Sequence, residues 1–514
     1  MASYMNLLSD PIIITTVTPL FLLLVFLYVY KQQQTNGRKY YPVGGNVFGI
    51  LINFNTMHDY MAHRAEKYKT YRMLSPLHRE IFTIDPTNVE YILKTNFKNY
   101  GKGTYTRDIL KELLGDGIFT VDGDKWREQR KVSSHEFSTT VLRDFSSVIF
   151  RNNTIKLGNI LSEAANNMQI VDINDLFLKT TMDSIFNVGF GIDLDNMSGS
   201  SEEGVRFSRA FDDANTLTYR RFVDVFWKIK KYLNIGSEAE LKKNIQIIDE
   251  FVYKLIQIKT EEMHKTKNEH SVFIKKDILS RFLQIKDKDP KFIRDIILNF
   301  VLAGKDPIGL TMSWFIYMLC KHPDVQDRVA KEIKEATNVK EDIVRNVADF
   351  AAHVSELALG KMQYLHAALT ETIRLYPALP LDPKICFADD VLPDGGIVKK
   401  GDMVSYLPYA MGRMKFVWGD DALEFKPERW LDENGCFHPE SPFKFTAFQA
   451  GLRSCLGQDF AYRQMKIFSS ILLGCFVFKL SDDNNISRYR TSINLHVDGP
   501  LKIRVFNRFD LLNP

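Results

Sequence analysis

Near its carboxyl end the chain reads Phe448-Gln-Ala-Gly451-Leu-Arg453-Ser-Cys455-Leu-Gly457, a short stretch that holds one cysteine between two glycines. A helix-like run begins directly after it, at Gln458. Thiolate is the form of cysteine that binds metals, and a helix N-terminus beside an arginine is expected to lower the pKa of Cys455. Glycine adopts backbone conformations that other residues avoid, so Gly451 and Gly457 are predicted to let a flat ligand approach closely. The stretch therefore predicts a metal-binding thiolate on a tight loop.

The same ten residues resemble the haem-binding signature of the cytochrome P450 family, Phe-x-x-Gly-x-Arg-x-Cys-x-Gly, at every fixed position. The resemblance implies that Cys455 ligates haem iron, that Gly457 belongs to the cofactor loop and that Arg453 contacts a haem propionate. The alternative is an inert buried cysteine, the usual role of a lone cysteine. The complete signature favours the metal ligand.

A second motif, Trp126-Arg-Glu-Gln-Arg130, places an indole N–H and a guanidinium one helical turn apart on one face. It resembles the Trp-x-x-x-Arg motif of the family's C helix, and the resemblance implies that Trp126 and Arg130 bind a haem propionate. Arginine suits this task because its planar group donates forked hydrogen bonds. Taken alone, the pair is also compatible with an exposed surface contact.

A third motif, Glu371-Thr-Ile-Arg374, resembles the family's Glu-x-x-Arg, which with Arg429 would form a buried charged network. We assign these residues a structural role and not a catalytic one. The motif has a second copy, from Glu203 to Arg206, which we interpret as a surface pair. Context separates the copies, because Glu371 lies in an apolar helical pattern that ends at a proline.

Composition limits the function classes. The chain has 514 residues, of which 45% are hydrophobic and 25% charged, as in a large globular protein. Its net charge of +4 is too small for this length to indicate nucleic-acid binding. The five cysteines are few and widely spaced, which predicts a reducing compartment and no disulfide framework.

The first thirty residues are predicted to be a membrane anchor. The stretch 11–30 has no charged side chain, and twenty helical residues span about 30 Å of hydrocarbon. Basic residues follow this stretch and none precedes it, which predicts a single-pass endoplasmic reticulum protein with its catalytic part in the cytosol. A cleaved signal peptide is the alternative, but no basic n-region or small-residue cleavage site is present. Residues 31–45 are predicted to be a hinge, and residues 46–514 the catalytic domain.

The remaining pattern predicts a mainly α fold with a smaller β portion, and the motif order is that of the cytochrome P450 fold preceded by one transmembrane helix. Long helical periods cover 292–320 and 361–376. Short strands are predicted near 80–84 and within 382–407, and an irregular meander over 418–442.

Within the family, residues 448–466, 121–126 and 314–323 are similar to the plant fatty-acid ω-hydroxylase branch. This resemblance implies a membrane-bound monooxygenase that hydroxylates fatty acids or related lipids at or near the ω carbon. It implies haem b as cofactor and a separate NADPH–cytochrome P450 reductase as partner, since the sequence has no recognisable flavin or nicotinamide module. No nucleic-acid partner is expected.

One stretch departs from the family pattern. The central helix reads Ala303-Gly-Lys-Asp306-Pro307-Ile308, where family members usually have hydroxyl residues at the last two positions. In the family, the first of these hydroxyls helps to deliver protons to oxygen on the iron. We hypothesise that Asp306 instead orients water in a groove opened by Pro307, which lacks the N–H that would bond the carbonyl of Ala303. Two alternatives stay open: a haem-thiolate enzyme that acts on lipid hydroperoxides without NADPH, and a haem protein with impaired or no catalysis.

Replacing Pro307 with threonine tests the hypothesis. A hydroxyl at this position should improve proton delivery, so the peroxide released per NADPH consumed should fall. The ratio is measured with purified protein, reductase and a substrate that is turned over. An unchanged ratio would contradict a proton-delivery role for this position.

Overall fold

The computed structural model describes residues 40–75, 79–137, 140–268, 277–283, 289–339, 345–482 and 487–508. The predicted anchor, residues 1–30, lies outside the described residues. Within them, no helix has the length and apolar character needed to cross a bilayer. The hinge also stays a prediction, because its described part, residues 40–45, runs into the first strand.

Helices make up most of the described chain, as predicted. They are α1 Val47–Ile52, α2 Met57–Tyr68, α3 Pro86–Glu90, α4 Gly103–Leu114, α5 Gly123–Phe137, α6 Thr140–Asn166, α7 Ile173–Phe190, α8 Glu202–Arg220, α9 Trp227–Leu233, α10 Ser237–Asn268, α11 Ile278–Phe282, α12 Pro290–Lys321, α13 Pro323–Thr337, α14 Val347–His353, α15 Glu356–Lys361, α16 Gln363–Leu375, α17 Pro408–Met411, α18 Lys415–Trp418 and α19 Gln458–Cys475.

The smaller β portion consists of short strands. They are β1 Val43–Asn46, β2 Thr70–Leu74, β3 Glu80–Thr83, β4 Tyr100–Gly101, β5 Ile170–Asp172, β6 Asp382–Cys386, β7 Asp390–Val391, β8 Ile397–Val398, β9 Met403–Tyr406, β10 Phe476–Leu480, β11 Tyr489–Arg490, β12 His496–Val497 and β13 Lys502–Asn507. A mixed six-stranded sheet has the order β1-β2-β3-β9-β6-β4, and a three-stranded sheet the order β10-β13-β5. The sheet around β2, β3 and β9 has its own apolar core, separate from the larger core of the helices.

Helix α12 is the central element and matches the helix predicted over 292–320. Asp289 caps its N-terminus by accepting a hydrogen bond from the backbone N–H of Lys291 at 3.0 Å. The helix packs against α7, α10, α16 and α19, and most of its side chains are buried. Pro307 lies inside it, and the helix continues for a further fourteen residues. An interior proline by itself destabilises a helix by about 3 kcal/mol. Dense packing on several sides of α12 explains why this helix tolerates one.

The less buried positions of α12 form a single stripe. Phe292, Ile296, Phe300 and Pro307 are half-buried and Ala303 is exposed, whereas every other residue from 293 to 319 is buried. Their spacing of three and four residues places all five on one face of the helix. This face is entirely apolar.

The predicted charged network is present, with Glu371 and Arg374 fully buried and Arg429 partly buried. The Glu371 carboxylate accepts two hydrogen bonds of 2.7 Å from Arg374, one of 3.2 Å from Arg429 and one of 2.9 Å from the indole of Trp430. Glu371 and Arg374 have no solvent-exposed side-chain surface. Arg374 also donates to the backbone carbonyls of Ala422 and Glu424, so the helix α16 fixes the meander.

The network reaches the cysteine loop through aromatic contacts. The ring of Trp430 meets Phe445 edge to face with 5.0 Å between centroids, and Phe445 meets Phe448 at 6.5 Å. Phe448 is the first residue of the loop, and its carbonyl accepts a 2.8 Å hydrogen bond from the N–H of Cys455. Burying Glu371 and Arg374 therefore positions the loop.

Replacing Glu371 with alanine should leave the buried Arg374 without its counter-charge. We expect the free energy of unfolding to fall by about 3–5 kcal/mol, the usual cost of removing one partner from a buried ion pair. Urea unfolding followed by circular dichroism measures the loss. Glu203 belongs to the exposed copy of the motif and is paired with Lys254 on the surface; Glu203→Ala is the matched control and should change stability by less than about 0.5 kcal/mol. Equal losses in the two variants would refute the structural role of Glu371.

Candidate active site around Cys455

Of the two glycines in the cysteine loop, only one is required by the backbone conformation. Gly451 adopts φ +64°, and a Cβ atom there would lie 2.1 Å from the carbonyl oxygen of Leu93, so glycine is required. Gly457 is different: its φ is −93°, which other residues adopt, and a Cβ atom there would lie 3.9 Å from the sulfur of Cys455, an ordinary contact. The prediction that Gly457 needs an unusual φ is wrong. The backbone N–H of Gly457 instead donates a hydrogen bond to the sulfur of Cys455, and Gly457 is the N-cap residue directly before α19.

Cys455 lies on the loop with its side chain accessible. Burial in the surrounding protein is nevertheless the main influence on the group and raises the pKa of the Cys455 thiol. The N–H of Gly457 and the charge of Arg130 act in the opposite direction but do not outweigh burial. The prediction that the loop lowers the pKa of Cys455 is therefore wrong when only the groups of the protein act on the thiol. A bound cation is what deprotonates such a thiol, because its positive charge stabilises the thiolate directly.

The predicted propionate contacts Trp126, Arg130 and Arg453 come together around the loop. Arg130 donates a 2.5 Å hydrogen bond to the backbone carbonyl of Ser454, next to Cys455. The Arg453 guanidinium lies 4.5 Å from the ring centroid of Trp126 and donates a 2.5 Å hydrogen bond to Asp122. The structure thus joins two motifs that are more than 300 residues apart in the sequence.

This cluster carries more positive charge than its neighbours compensate. Burial, together with the charge of the nearby Arg453, lowers the pKa of Arg130, and burial lowers the pKa of Arg453 despite the carboxylate of Asp122. The Nε atom of Arg453 is buried and has no hydrogen-bond partner in the described part of the chain. An anionic ligand would satisfy this donor and offset the charge.

The sequence analysis missed a further cation here. Lys384 in strand β6 is buried and forms an ion pair with Asp382, which also binds Lys102 at 2.8 Å. Burial and the charges of Lys102 and Arg453 lower the pKa of Lys384 to about 7. A lysine in a short strand carries no motif signal, and only the pairing of β6 with β4 and β9 brings it to the site.

These residues fit a haem. A thiol that needs a metal charge for ionisation lies beside buried guanidinium groups that need anions, and a haem supplies both an iron and two propionates. Cys455 would hold the iron, while Arg130, Arg453 and Trp126 would hold the propionates. The donor set therefore matches the cofactor implied by the sequence.

Asp306 lies in a different environment. It is buried, forms an ion pair of 3.2 Å with Lys305, and accepts a 3.1 Å hydrogen bond from Asn215 of α8. Burial raises the pKa of Asp306, but Lys305 and the nearby His496 more than offset this, and the net shift is downward. Lys305 also pairs with Asp212, so the charges link α12 to α8. The hydroxyl of Thr311, one turn further along the helix, donates a 2.7 Å hydrogen bond to the carbonyl of Pro307. This hydroxyl is therefore already engaged within the helix.

Comparison with known proteins decides the family. A family model described as Cytochrome P450 matches residues 37–503. The chain belongs to the cytochrome P450 family. It is 51% identical to Cytochrome P450 704C1 of Pinus taeda over 473 residues, which cover 89% of this chain and 90% of that protein. It is 43% identical to Cytochrome P450 704B1 of Arabidopsis thaliana over 94% of this chain and 97% of that protein. With Cytochrome P450 94A1 of Vicia sativa the identity is 37%, over 85% and 84%.

This cytochrome P450 is accordingly a monooxygenase of a family whose relatives here are plant proteins, and the family implies a haem-thiolate cofactor. The fold agrees with the membership, being mainly helical with a smaller sheet portion.

Cys455→Ser should abolish thiolate ligation, because a serine hydroxyl is not ionised near neutral pH and is a harder ligand than sulfur. We expect the absorption band of the reduced, carbon-monoxide-bound protein that is characteristic of thiolate ligation to disappear. Cys436 is exposed and belongs to the meander, so Cys436→Ser is the matched control and should keep the band. An identical spectrum for Cys455→Ser would overturn the ligand assignment.

Proposed function

We propose that this cytochrome P450 hydroxylates fatty acids or related lipids at or near the ω carbon, using O2 and electrons that reach it from NADPH through a separate reductase. The observation that carries the proposal is the joining of Cys455, Arg130, Arg453 and Trp126 into one site that fits a haem. The similarity of several stretches to the plant fatty-acid ω-hydroxylase branch supports the choice of substrate.

The haem, when bound, supplies the activation of O2 for insertion into a C–H bond. The residues of this chain contribute the rest. Cys455 would provide the thiolate, its sulfur accepting a hydrogen bond from the N–H of Gly457, and the cations Arg130 and Arg453, which lie beside the loop, would hold the propionates. Burial around these groups excludes water from the reacting centre.

An apolar substrate is supported by the accessible face of α12. Its five members, from Phe292 to Pro307, carry no polar side-chain atom, and Ala303 is the most exposed of them. Apolar walls with few polar groups are typical of pockets for hydrophobic ligands. A long acyl chain laid along this face would bury apolar surface on both sides.

Proton delivery is proposed to depend on Asp306 and water at Pro307. Asp306 is held ionised by Lys305, and Pro307 leaves the carbonyl of Ala303 without its helical donor. Water bound in this groove would donate to the freed carbonyl and to the carboxylate. Asp306 is the proposed catalytic residue of the chain in this step.

The reductase is proposed to dock on the side of α5. This helix presents the cations Lys125, Arg127 and Lys131 to solvent, while Trp126 on the same helix is buried in the site. A path from that surface to the cysteine loop is short, because Arg130 of the same helix contacts Ser454 directly. Positive surface groups near the site would steer an acidic partner.

Attachment to the endoplasmic reticulum membrane through residues 1–30 is proposed, with the catalytic domain in the cytosol. A second membrane contact is supported by the segment around α9, whose apolar side chains are unusually exposed. Exposed fractions are 62% for Phe226, 57% for Ile229 and 89% for Tyr232. Lysines 228, 230 and 231 stand between them, a pattern typical of helices that lie on anionic lipid surfaces.

The direct test supplies the purified full-length protein with reductase, NADPH and a mixture of fatty acids, and identifies products by mass spectrometry. We expect hydroxylation at or near the ω carbon, and none without reductase. A parallel arm offers hydroperoxy fatty acids without reductase or NADPH. The reason is that hydroperoxide chemistry does not need the hydroxyl that most family members have at the position of Pro307 and that this chain lacks. Turnover in that arm alone would replace the proposal with hydroperoxide chemistry, and no product in either arm would favour a non-catalytic haem protein.

A further inference from the structure

Three buried polar atoms around Asp306 have no hydrogen-bond partner within the described part of the chain. They are Oδ1 of Asp306 in α12, Oδ1 of Asn215 in α8, and Nδ2 of Asn494 in the turn between β11 and β12. The three residues are 1%, 5% and 4% exposed. A polar atom left unpaired at such depth typically costs about 1–3 kcal/mol. Nearly all such atoms in native proteins are therefore satisfied by protein groups or by ordered water.

The three residues surround one carboxylate. Asn215 donates from Nδ2 to Oδ2 of Asp306 at 3.1 Å, which leaves its own Oδ1 atom beside the carboxylate. Burial raises the pKa of Asp306, while Lys305, His496 and the nearby amide of Asn494 lower it. The ammonium of Lys305 is an ion-pair partner 3.2 Å from Oδ1, but it forms no hydrogen bond to that atom. The unpaired atoms therefore belong to side chains that meet at Asp306.

The turn that carries Asn494, residues 491–495, is fixed on α12 through its backbone. The indole N–H of Trp314 donates a 3.0 Å hydrogen bond to the carbonyl of Leu495. The carbonyl of Asn494 accepts hydrogen bonds of 2.7 Å from the hydroxyl of Ser492 and 3.0 Å from the N–H of His496. None of these bonds uses the side-chain amide of Asn494. The turn thus holds this amide near Asp306 without engaging it.

The chemistry of the three unpaired atoms selects their ligand. Two of them are acceptors and the third is an N–H donor. A metal cation would be repelled by the ammonium of Lys305 and by the N–H of Asn494, and an anion would be repelled by Asp306. A water molecule can donate one hydrogen bond to Asp306 and one to Asn215, and can accept one from Asn494. Three hydrogen bonds is the usual number for a buried water.

The other ionisable groups around the site keep it anionic. Lys305 pairs with both Asp306 and Asp212, so one negative charge remains. Burial, with the charges of Arg490 and Lys305, lowers the pKa of His496 to about 4 despite the nearby Asp306. His496 is therefore neutral near pH 7 and does not cancel this charge. An ionised carboxylate orients a water by accepting one of its hydrogens.

The site adjoins the groove at Pro307. Ala303 and Asp306 are three residues apart and are therefore neighbours on the surface of α12. Pro307 leaves the carbonyl of Ala303 without its helical donor. A water on the carboxylate of Asp306 would thus lie next to the water that this carbonyl binds.

Resting on the proposed function, we propose that Asp306, Asn215 and Asn494 bind one water molecule, which supplies protons to the groove at Pro307. The bound water passes one proton toward the haem and receives one from solvent water, so the charge of Asp306 does not change. Asn215 and Asn494 act through this water and are positioning residues. In this chain, two amides from α8 and the β11–β12 turn replace the missing hydroxyl of α12.

Crystal structures of the haem-loaded protein test the binding site directly. In the wild type we expect an ordered water within about 2.5–3.2 Å of all three unpaired atoms. Asn494→Leu keeps a similar side-chain volume and removes the donor, so the water should be lost. The wild-type structure keeps the test decisive even if the variant folds poorly.

The second measurement is the amount of product and of peroxide formed per NADPH, with reductase and a substrate that is turned over. A positioned acid or base accelerates proton transfer by roughly 100-fold or more, and Asp306 itself remains, so product per NADPH should fall about tenfold in Asn494→Leu while peroxide rises. A merely structural role would lower haem content and all rates together, and would not change this ratio. Gln464 in α19 is 1% exposed and its Nε2 atom also has no partner among the described residues. Gln464→Leu is the matched control and should keep the wild-type ratio.

The outcomes separate this inference from the proposed function. Absence of the water from the wild-type structure, or an unchanged ratio in Asn494→Leu, would overturn the inference and leave fatty-acid hydroxylation intact. An ordered water at the three atoms of a protein that hydroxylates no fatty acid would refute the proposed function and support the binding site.

Discussion

A carboxylate with no contact to water determines much of this structure. Burial of the Glu371 side chain is tolerated because Arg374, Arg429 and Trp430 satisfy its oxygens with hydrogen bonds. Arg374 lies in helix α16, whereas Arg429 and Trp430 belong to the meander, which has little regular secondary structure to hold it. Trp430 transmits the constraint through Phe445 to Phe448, and Phe448 bonds the N–H of the cysteine that carries the site. A buried charge far from any chemistry therefore sets the position of the sulfur.

The site itself combines groups that are costly in the absence of a ligand. Burial raises the pKa of Cys455 and lowers those of Arg130, Arg453 and Lys384. Every one of these shifts disfavours the charged form, and a metal cation with anionic substituents reverses the penalty for all of them. Preorganised charge of this kind favours a cofactor that carries both a metal cation and anionic groups, since Asp122 and Asp382 compensate only part of the buried positive charge.

Pro307 shows how tertiary packing accommodates a residue that is unfavourable inside a helix. A proline within a helix removes a hydrogen bond and crowds the preceding turn. In α12 the helix continues because its buried faces pack against α7, α10 and α16, and the proline falls on the less buried apolar face. Directly before the proline, Lys305 and Asp306 are fixed by Asp212 and Asn215 of α8. The position of the proline therefore leaves the charged link between the two helices intact.

The local elements could be predicted from the sequence, because they depend on short-range periodicity and motif spacing. Four features were predicted in this way: the long central helix, the helix ending near residue 376, the strand at 80–83 and the buried partners of Glu371. The cysteine loop and the Trp126–Arg130 turn were equally clear. Spacing alone, however, gave Gly457 the wrong reason for being glycine, since a φ angle is set by the path of the chain.

Only the tertiary structure decided the electrostatic environment, and hence the pKa, of each ionisable side chain. The sequence showed which residues carry charge, but the pKa of Cys455 moved opposite to expectation because burial outweighs a neighbouring guanidinium. Lys384 joined the site through strand pairing, which brings its charge close enough to act on Arg453. Desolvation and long-range pairing depend on what surrounds a side chain in space, and no local pattern of residues contains that information.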